Sequence, residues 1–303
     1  MKTAMKLEDI KKIGILGAGQ MGSGISQVCA TAGYEVFLVD VAEPPLTQAV
    51  SKIRVGLERA VARGSLTDDQ AGEVLALIHP LGELDRLRDV EVVIEAVSES
   101  LALKQKLFAQ LNRICPPQAV LASNTSSISI TKLGASSGRP DRVIGFHFMN
   151  PAPVMKLVEV VRGLETSERT MQLALDLAKR LGKTPAVAKD VPGFIVNRVL
   201  IPMINEAVFA LEEGVASAED IDLAMATGAN HPVGPLALAD RIGLDTVLAI
   251  CDVLHQDLGD PKFRACPLLR RYVEAGWLGR KSGRGFYVYE GRNERQEAMS
   301  SQS

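Results

Sequence analysis

Residues 13–40 read IGILGAGQMGSGISQVCATAGYEVFLVD, and this stretch decides the architecture of the first half of the chain. Ile13-Gly14-Ile15-Leu16 predicts a buried strand, and Gly17-Ala18-Gly19-Gln20-Met21-Gly22 forms a GxGxxG turn that opens a helix over 20–32. Gly33 stands just past the last periodic residue, the usual place for a glycine that ends a helix. A second strand, Val36-Phe37-Leu38-Val39, then terminates at Asp40, about 20 residues beyond the glycines. A GxGxxG alone arises by chance in many chains, and a glycine turn before a helix can be purely structural. Set between a strand and a helix, with an acidic residue closing the next strand, it is the fingerprint of a dinucleotide site. The glycines allow a tight turn and a close backbone approach, while the helix N-terminus offers free N–H groups to a pyrophosphate. Asp40 is suited to accept from both adenosine ribose hydroxyls and to repel an added 2′-phosphate. No Arg follows it to reverse that preference, so NAD is expected over NADP.

The same rhythm of short apolar runs and helical segments continues to about residue 190, as in a parallel sheet covered by helices. Strands are expected at 12–16, 35–40, 91–96, 119–123, 142–148, 155–161 and 184–188. Helices include 45–63 and 168–181, the latter stopping at Gly182. On the first of these, Lys52, Arg59 and Arg63 share helical spacing, which is usually a solvated face and can also meet a phosphate. After KDVPG (189–193) strand-like runs vanish, and 194–275 read as four or five helices, one opened by a Ser217/Asp220 capping box. Helix 194–212 is apolar on nearly every face, so it is expected to be buried in a core or against another subunit. The fold class is therefore α/β: a Rossmann-like, mostly parallel sheet domain over 1–189, an all-helical domain over 190–291 and a polar tail over 292–303.

Composition narrows the function. A chain of 303 residues with 47% hydrophobic content has room for two domains with sizeable cores. A formal net charge of −2 gives no reason to expect nucleic acid or an anionic membrane as partner. Cys29, Cys115, Cys251 and Cys266 are scattered, with no CxxC and no Cys/His cluster, as expected of reduced thiols with no metal site. MKTAMKLEDIKK lacks the apolar core of a secretory signal, and no apolar run reaches bilayer-spanning length. A cytoplasmic protein is expected.

A second stretch carries the chemistry. In GFHFMNPAPVMKLVEVV (145–161), His147 sits inside one apolar run and Glu159 inside the next. Burying either is unfavourable unless it finds a partner. A neighbouring pair answers that need, because the carboxylate can hold one ring nitrogen while the other faces a substrate. The competing reading is a satisfied core histidine and an unrelated edge glutamate, and the upstream nucleotide signal weighs against it. Beside a nicotinamide cofactor, such a pair suits oxidation of a secondary alcohol: hydride leaves carbon while imidazole takes the hydroxyl proton. Ser123-Asn124-Thr125-Ser126-Ser127 follows a parallel strand at its carboxyl end, where ligands of open α/β sheets gather. These residues either cap a helix from Ile128 or meet a ligand. Asn197, in the apolar helix, either satisfies a core backbone group or faces a substrate.

These residues line up with a known family. From about residue 10 to residue 290 the chain resembles the L-3-hydroxyacyl-CoA dehydrogenase family, most of all its short bacterial 3-hydroxybutyryl-CoA members. The resemblance rests on ILGAGQMGSGI, VVIEAVSE, ASNTSSISIT, GFHFMNPAPVMKLVEVV, KDVPGFIVNR, HPVGPLALADRIGLD and GRKSGRGFY. It implies reversible NAD-dependent oxidation of a short-chain (3S)-3-hydroxyacyl-CoA, with His147 as general base and Glu159 as its orienting partner. It implies that Ser126 and Asn197 hydrogen-bond the substrate oxygens. On the cofactor side it points to Gly17, Ala18, Gly19, Gln20, Met21 and Gly22, with Asp40, Glu99, Lys104, Asn150 and Lys281. It also implies a homodimer built through the helical domain. There are departures: Ser100 follows Glu99 where the family commonly has Asn, Arg63 falls where a Lys meets CoA phosphates, and Gly56 replaces a CoA-contacting Ser. Two other readings keep the fold: a dehydrogenase of a free 3-hydroxy acid of the sugar-acid or carnitine type, and a non-catalytic NAD-binding protein. The complete set Ser126, His147, Glu159 and Asn197 argues against the latter.

Overall fold

The computed structural model describes residues 5–289, so the expected polar tail lies outside the described residues. The chain forms two units, one ending at Phe194 and the other beginning at Ile195.

The first unit alternates strands and helices in chain order: β1 (Lys12–Leu16), α1 (Gln20–Thr31), β2 (Glu35–Val39), α2 (Glu43–Ala62), α3 (Asp68–Ala76), β3 (Ile78–Leu81), β4 (Val92–Glu95), α4 (Leu101–Ile114), β5 (Val120–Ser123), α5 (Ile130–Ser137), β6 (Val143–Phe148), β7 (Leu157–Arg162), α6 (Glu168–Arg180) and β8 (Thr184–Lys189). The eight strands make one sheet in the order β3-β2-β1-β4-β5-β6-β7-β8. Every neighbouring pair is parallel except β6 with β7, where the direction reverses. Side chains alternate between two buried layers. Along β4, Val92 and Ile94 join the layer under α1, α2 and α6, while Val93 joins the layer under α4 and α5. Ile13, Ile15, Val36 and Leu38 are fully buried, each contributing about 1.5–3 kcal/mol from water exclusion. The strand Ile78–Leu81 escapes the sequence reading for a physical reason. It is four residues long and carries Pro80, which lacks a ladder donor, and it survives because it lies at the edge of the sheet.

The sheet unit runs on past β8. Asp190 accepts from Ser129 Oγ (2.8 Å), Ile130 N (2.9 Å) and Thr131 N (2.8 Å), so its carboxylate caps α5. Phe194, in the left-handed region at φ +48°, packs into the α4/α5 layer. Asp190 and Phe194, which the sequence reading placed in the helical domain, thus contact the α4/α5 side of the first unit.

The second unit holds α7 (Val196–Glu212), α8 (Ala218–Gly228), α9 (Pro235–Ile242), α10 (Leu244–Leu258) and α11 (Pro267–Glu274). Its core gathers Ile201, Ile204 and Val208 with Leu236, Ala239, Val247, Leu254 and Leu269. The apolar helix starts at Val196 because Phe194 has left helical geometry, and only part of it is buried: Val199 is 67% exposed. The buried amide in this helix is Asn205, which donates to Arg264 O (3.0 Å) and accepts from Cys266 N (2.8 Å). Ser217 caps α8 by accepting from Asp220 N (3.1 Å), and its hydroxyl donates to the Asp220 carboxylate (2.9 Å).

Candidate active site

The site grows from the carboxyl ends of β1, β2, β4, β5 and β6, where ligands of open α/β sheets collect. The glycine turn joins β1 to α1. Gly17 has φ +95°, and a Cβ there would lie 2.7 Å from Ala96 O. A Cβ at Gly22 would stand 1.7 Å from Gly17 O, so the turn cannot close on any larger residue. Over Gly19 a Cβ would meet nothing within 4 Å, which leaves open space at the helix N-terminus. The N–H groups of that first turn have no intrahelical acceptor and face this space. Asp40 ties the arrangement together: Oδ2 accepts from Ala18 N (2.8 Å) and Oδ1 from Ala42 N (3.2 Å). A glycine cradle open over a helix N-terminus, with a carboxylate at the tip of β2, fits NAD.

The loop after β5 divides its hydrogen bonds in a way that answers the earlier alternative. Thr125 Oγ1 accepts from Ile128 N (2.9 Å), and Ser129 caps α5 by accepting from Lys132 N (3.2 Å). Ser126 and Ser127 cap nothing. Instead Glu99 Oε1 accepts from Thr125 Oγ1 (2.5 Å), Ser126 N (3.0 Å), Ser126 Oγ (3.4 Å), Ser127 N (3.2 Å) and Ser127 Oγ (3.0 Å). Its other oxygen lies 3.2 Å from Lys104 Nζ. Burial pushes the Glu99 carboxyl upward, but the Lys104 ammonium and the Thr125, Ser126 and Ser127 donors outweigh it and hold it below its ordinary value. Lys104 is itself buried, and its ammonium donates to Glu95 Oε1 at 2.6 Å.

His147 and Glu159 are directly opposite each other in the antiparallel β6–β7 register. His147 Nδ1 and Glu159 Oε2 are 2.7 Å apart, with Glu159 fully buried and the ring 8% exposed. A carboxylate there accepts from Nδ1–H, and in the neutral form of such a ring Nε2 carries the lone pair. Phe194 packs edge-on against the imidazole, with ring centroids 5.8 Å apart. Two bonds join this strand end to its neighbours. Phe148 N donates to Asn124 Oδ1 (2.8 Å), and Gln20 Nε2 donates to Asn150 Oδ1 (3.1 Å), linking the glycine turn to the loop after β6. That loop contains a cis Asn150–Pro151 bond, and the buried Lys183 ammonium holds it by donating to Ala152 O (2.6 Å) and Met155 O (2.9 Å).

A groove of about 930 Å³ opens beside α1 and α2. Lys52, Arg59, Arg63, Arg180 and Lys183 line it together with Ser51 and Ser65, and among the described residues no acidic one does. Arg63 is exposed at the end of α2. A Cβ at Gly56 would meet Gln27 Oε1 at 2.6 Å, so the wall is shaped by Gln27 where a serine would project.

Of the residues expected in the site, the glycine turn, Asp40, Glu99, Lys104, Ser126, His147, Asn150 and Glu159 all belong to this edge of the first unit. Asn197, half-buried in the first turn of α7, and Lys281, whose Nζ is 2.6 Å from both Asp245 oxygens, belong to the second. Sequence reasoning passed over Glu95, Lys183 and Phe194 as site residues. Glu95 carried a usable signal, a carboxylate inside the apolar run VVIEAV.

Comparison with known proteins places the chain in a family. The family model "3-hydroxyacyl-CoA dehydrogenase, NAD binding domain" matches residues 12–191, and the corresponding C-terminal domain model matches 193–289. A probable 3-hydroxybutyryl-CoA dehydrogenase of Bacillus subtilis is 53% identical over 282 residues, 93% of this chain and 98% of its own. A 3-hydroxybutyryl-CoA dehydrogenase of Bradyrhizobium diazoefficiens is 51% identical over 282 residues, 93% of this chain and 96% of its own. The crystal structure of (S)-3-hydroxybutyryl-CoA dehydrogenase from Ralstonia eutropha superposes with a TM-score of 0.90 at 49% identity, covering 93% of this chain and all (100%) of that one. With a glycine cradle for NAD and a buried His–Glu pair on the same sheet edge, the chain belongs to the 3-hydroxyacyl-CoA dehydrogenase family.

Proposed function

We propose that this chain catalyses the reversible NAD-dependent oxidation of a short-chain (3S)-3-hydroxyacyl-CoA, such as 3-hydroxybutyryl-CoA, to the 3-ketoacyl-CoA. The observation that carries the chemistry is the 2.7 Å contact between His147 Nδ1 and Glu159 Oε2. With Nδ1–H given to the carboxylate, Nε2 is the basic nitrogen and takes the proton of the substrate hydroxyl. Glu159 stabilises the resulting imidazolium and keeps the ring in one tautomer, as the carboxylate does in a hydrolase triad. In the reverse direction the imidazolium returns the proton to the carbonyl oxygen. NAD, when bound at the glycine cradle, supplies the hydride acceptor. Ser126 and Asn197 are assigned to hydrogen bonds with the substrate oxygens, where charge changes as the carbonyl forms. Glu99, Lys104, Asn150 and Lys281 are assigned to the cofactor side.

The cationic groove supports a CoA ester over a free acid. Lys52, Arg59, Arg63 and Arg180 together suit the several phosphate charges of CoA, whereas a small free acid brings a single carboxylate. A homodimer through the helical unit is supported by apolar side chains left uncovered in the monomer, Val199 at 67% and Leu223 at 60% exposure. A cytoplasmic setting is supported by four free, buried cysteines. Among the described residues no helix is long and apolar enough to cross a membrane.

The test is steady-state NADH oxidation with acetoacetyl-CoA beside free acetoacetate. Preference for the CoA ester is the expected result, and preference for the free acid would transfer the assignment to a free-acid dehydrogenase. His147→Gln should lower kcat by about 10²–10⁴, the usual contribution of a general base. Turnover near wild type in that variant would remove His147 from the mechanism.

A further inference from the structure

Glu95 is the last residue of β4 and has no exposed surface (0%), so no ligand reaches it. It nevertheless accepts three hydrogen bonds: from Lys104 Nζ (2.6 Å) and Val97 N (2.8 Å) at Oε1, and from Ser123 Oγ (2.6 Å) at Oε2. Lys104 is 1% exposed and is shared, with Glu95 on one side and Glu99 Oε2 at 3.2 Å on the other. Glu99 in turn turns its second oxygen to the backbone and hydroxyl groups of Thr125, Ser126 and Ser127. A continuous polar chain therefore runs from the floor of the sheet, through one ammonium and two carboxylates, to the serine loop.

We infer that Glu95 is a positioning residue for Ser126, acting through Lys104 and Glu99. The inference rests on the proposed function, in which Ser126 contacts the substrate oxygen. The physical reason lies in how the shared cation is divided. Lys104 sits closer to Glu95 than to Glu99, so its pull on Glu99 is moderated by the deeper carboxylate. With the Glu95 charge removed, the ammonium is drawn wholly to Glu99 Oε2. That turns the Glu99 carboxylate and moves Oε1, the acceptor on which Thr125, Ser126 and Ser127 all converge. Stability alone does not call for such a device, since a buried ion pair can often be replaced by apolar groups of similar volume without loss. Here the charges lie beneath the loop in which Ser126 and Ser127 turn their hydroxyls to Glu99 and not to a helix end.

Glu95→Gln keeps the shape and removes the charge, and a double-mutant cycle with Ser126→Ala tests the connection. In the wild-type background the substitution should lower kcat by about 10–100-fold, the effect of displacing a reacting contact by about an ångström. KM for acetoacetyl-CoA should stay within about threefold, because the groove is untouched. In the Ser126→Ala background the same substitution should cost less than about threefold, since the group it positions is gone. An equal loss in both backgrounds, a loss confined to KM, or no loss at all would overturn the inference. Full activity of Ser126→Ala alone would overturn the assignment of Ser126 as well, which separates the two failures. If Glu95→Gln does not fold, Ser123→Ala removes one donor to Glu95 without altering any charge. It should show the same coupling with Ser126→Ala at a smaller amplitude, and an additive cycle there would overturn the inference equally.

Discussion

Glu159→Gln isolates the charge of the buried partner from its shape. Glu159 is fully buried, and its Oε2 stands 2.7 Å from His147 Nδ1. A contact this short puts the delocalised charges of imidazolium and carboxylate about 4 Å apart, where they attract by about 4 kcal/mol at an effective dielectric near 20. Glutamine returns about 1 kcal/mol through a neutral hydrogen bond, so the protonated ring loses about 3 kcal/mol of support. That corresponds to a fall in kcat of about 10². The carboxamide can also turn its NH₂ toward Nδ1, which forces the ring proton onto Nε2 and extends the loss toward about 10⁴. The substitution keeps the side chain's shape and leaves no buried charge unpaired. Tm should therefore fall by only a few degrees, as for a change of about 1 kcal/mol. The assay is NADH absorbance under saturating acetoacetyl-CoA, with Tm measured on the same preparation. A variant that folds normally and retains kcat within about tenfold of wild type would refute the stabilising role of the carboxylate.

Asp40→Asn should raise the NADPH-to-NADH ratio of kcat/KM by about tenfold, the equivalent of about 1.4 kcal/mol of repulsion removed. An unchanged ratio would take Asp40 out of cofactor discrimination. Arg59→Glu with Arg63→Glu should raise KM for acetoacetyl-CoA by about tenfold at low salt and by less at high salt, with kcat unchanged. A KM unmoved at low salt would exclude the groove as the CoA site. Glu99 is held below its ordinary value of 4.5, so its stabilising contribution is complete above that pH and disappears as pH falls through the lower, folded value. Glu99→Gln should accordingly flatten the acid limb of the Tm–pH curve below about pH 4.5, and superimposable acid limbs would show that the carboxylate gives no such support.

The parts legible in sequence are those governed by local rules. The turn from Gly17 to Gly22 is dictated by close contacts within a few residues, and Asp40 follows from the length of one β–α–β unit. Gly33 and Gly182 adopt positive φ just past their helices, where the periodicity stops. His147 and Glu159 were legible because an isolated charge in an apolar run demands a partner. The same rule applies to Glu95, and only its position at a strand end, next to a more conspicuous Glu99, obscured it. What sequence could not convey depends on tertiary placement. Ile78–Leu81 is strand only because an edge tolerates Pro80. Residues 190–194 read as the start of the helical domain, yet the Asp190 carboxylate finds its three donors at the start of α5, some 60 positions earlier in the chain. Lys183 carries no signal in the sequence, and only the fold brings the carbonyls of Ala152 and Met155 to it.

The reversal of direction between β6 and β7 has a consequence for how the catalytic pair tolerates change. Because Gly145 pairs with Val161 and Phe148 with Val158, the alignment of imidazole and carboxylate is inherited from a ladder of backbone bonds. Slippage by a single position would swing Glu159 to the opposite surface of the sheet and set a valine before the histidine. The spacing of the proton-transfer couple is therefore kept by the strands themselves, which leaves the intervening loop to serve the neighbouring glycine turn through Asn150.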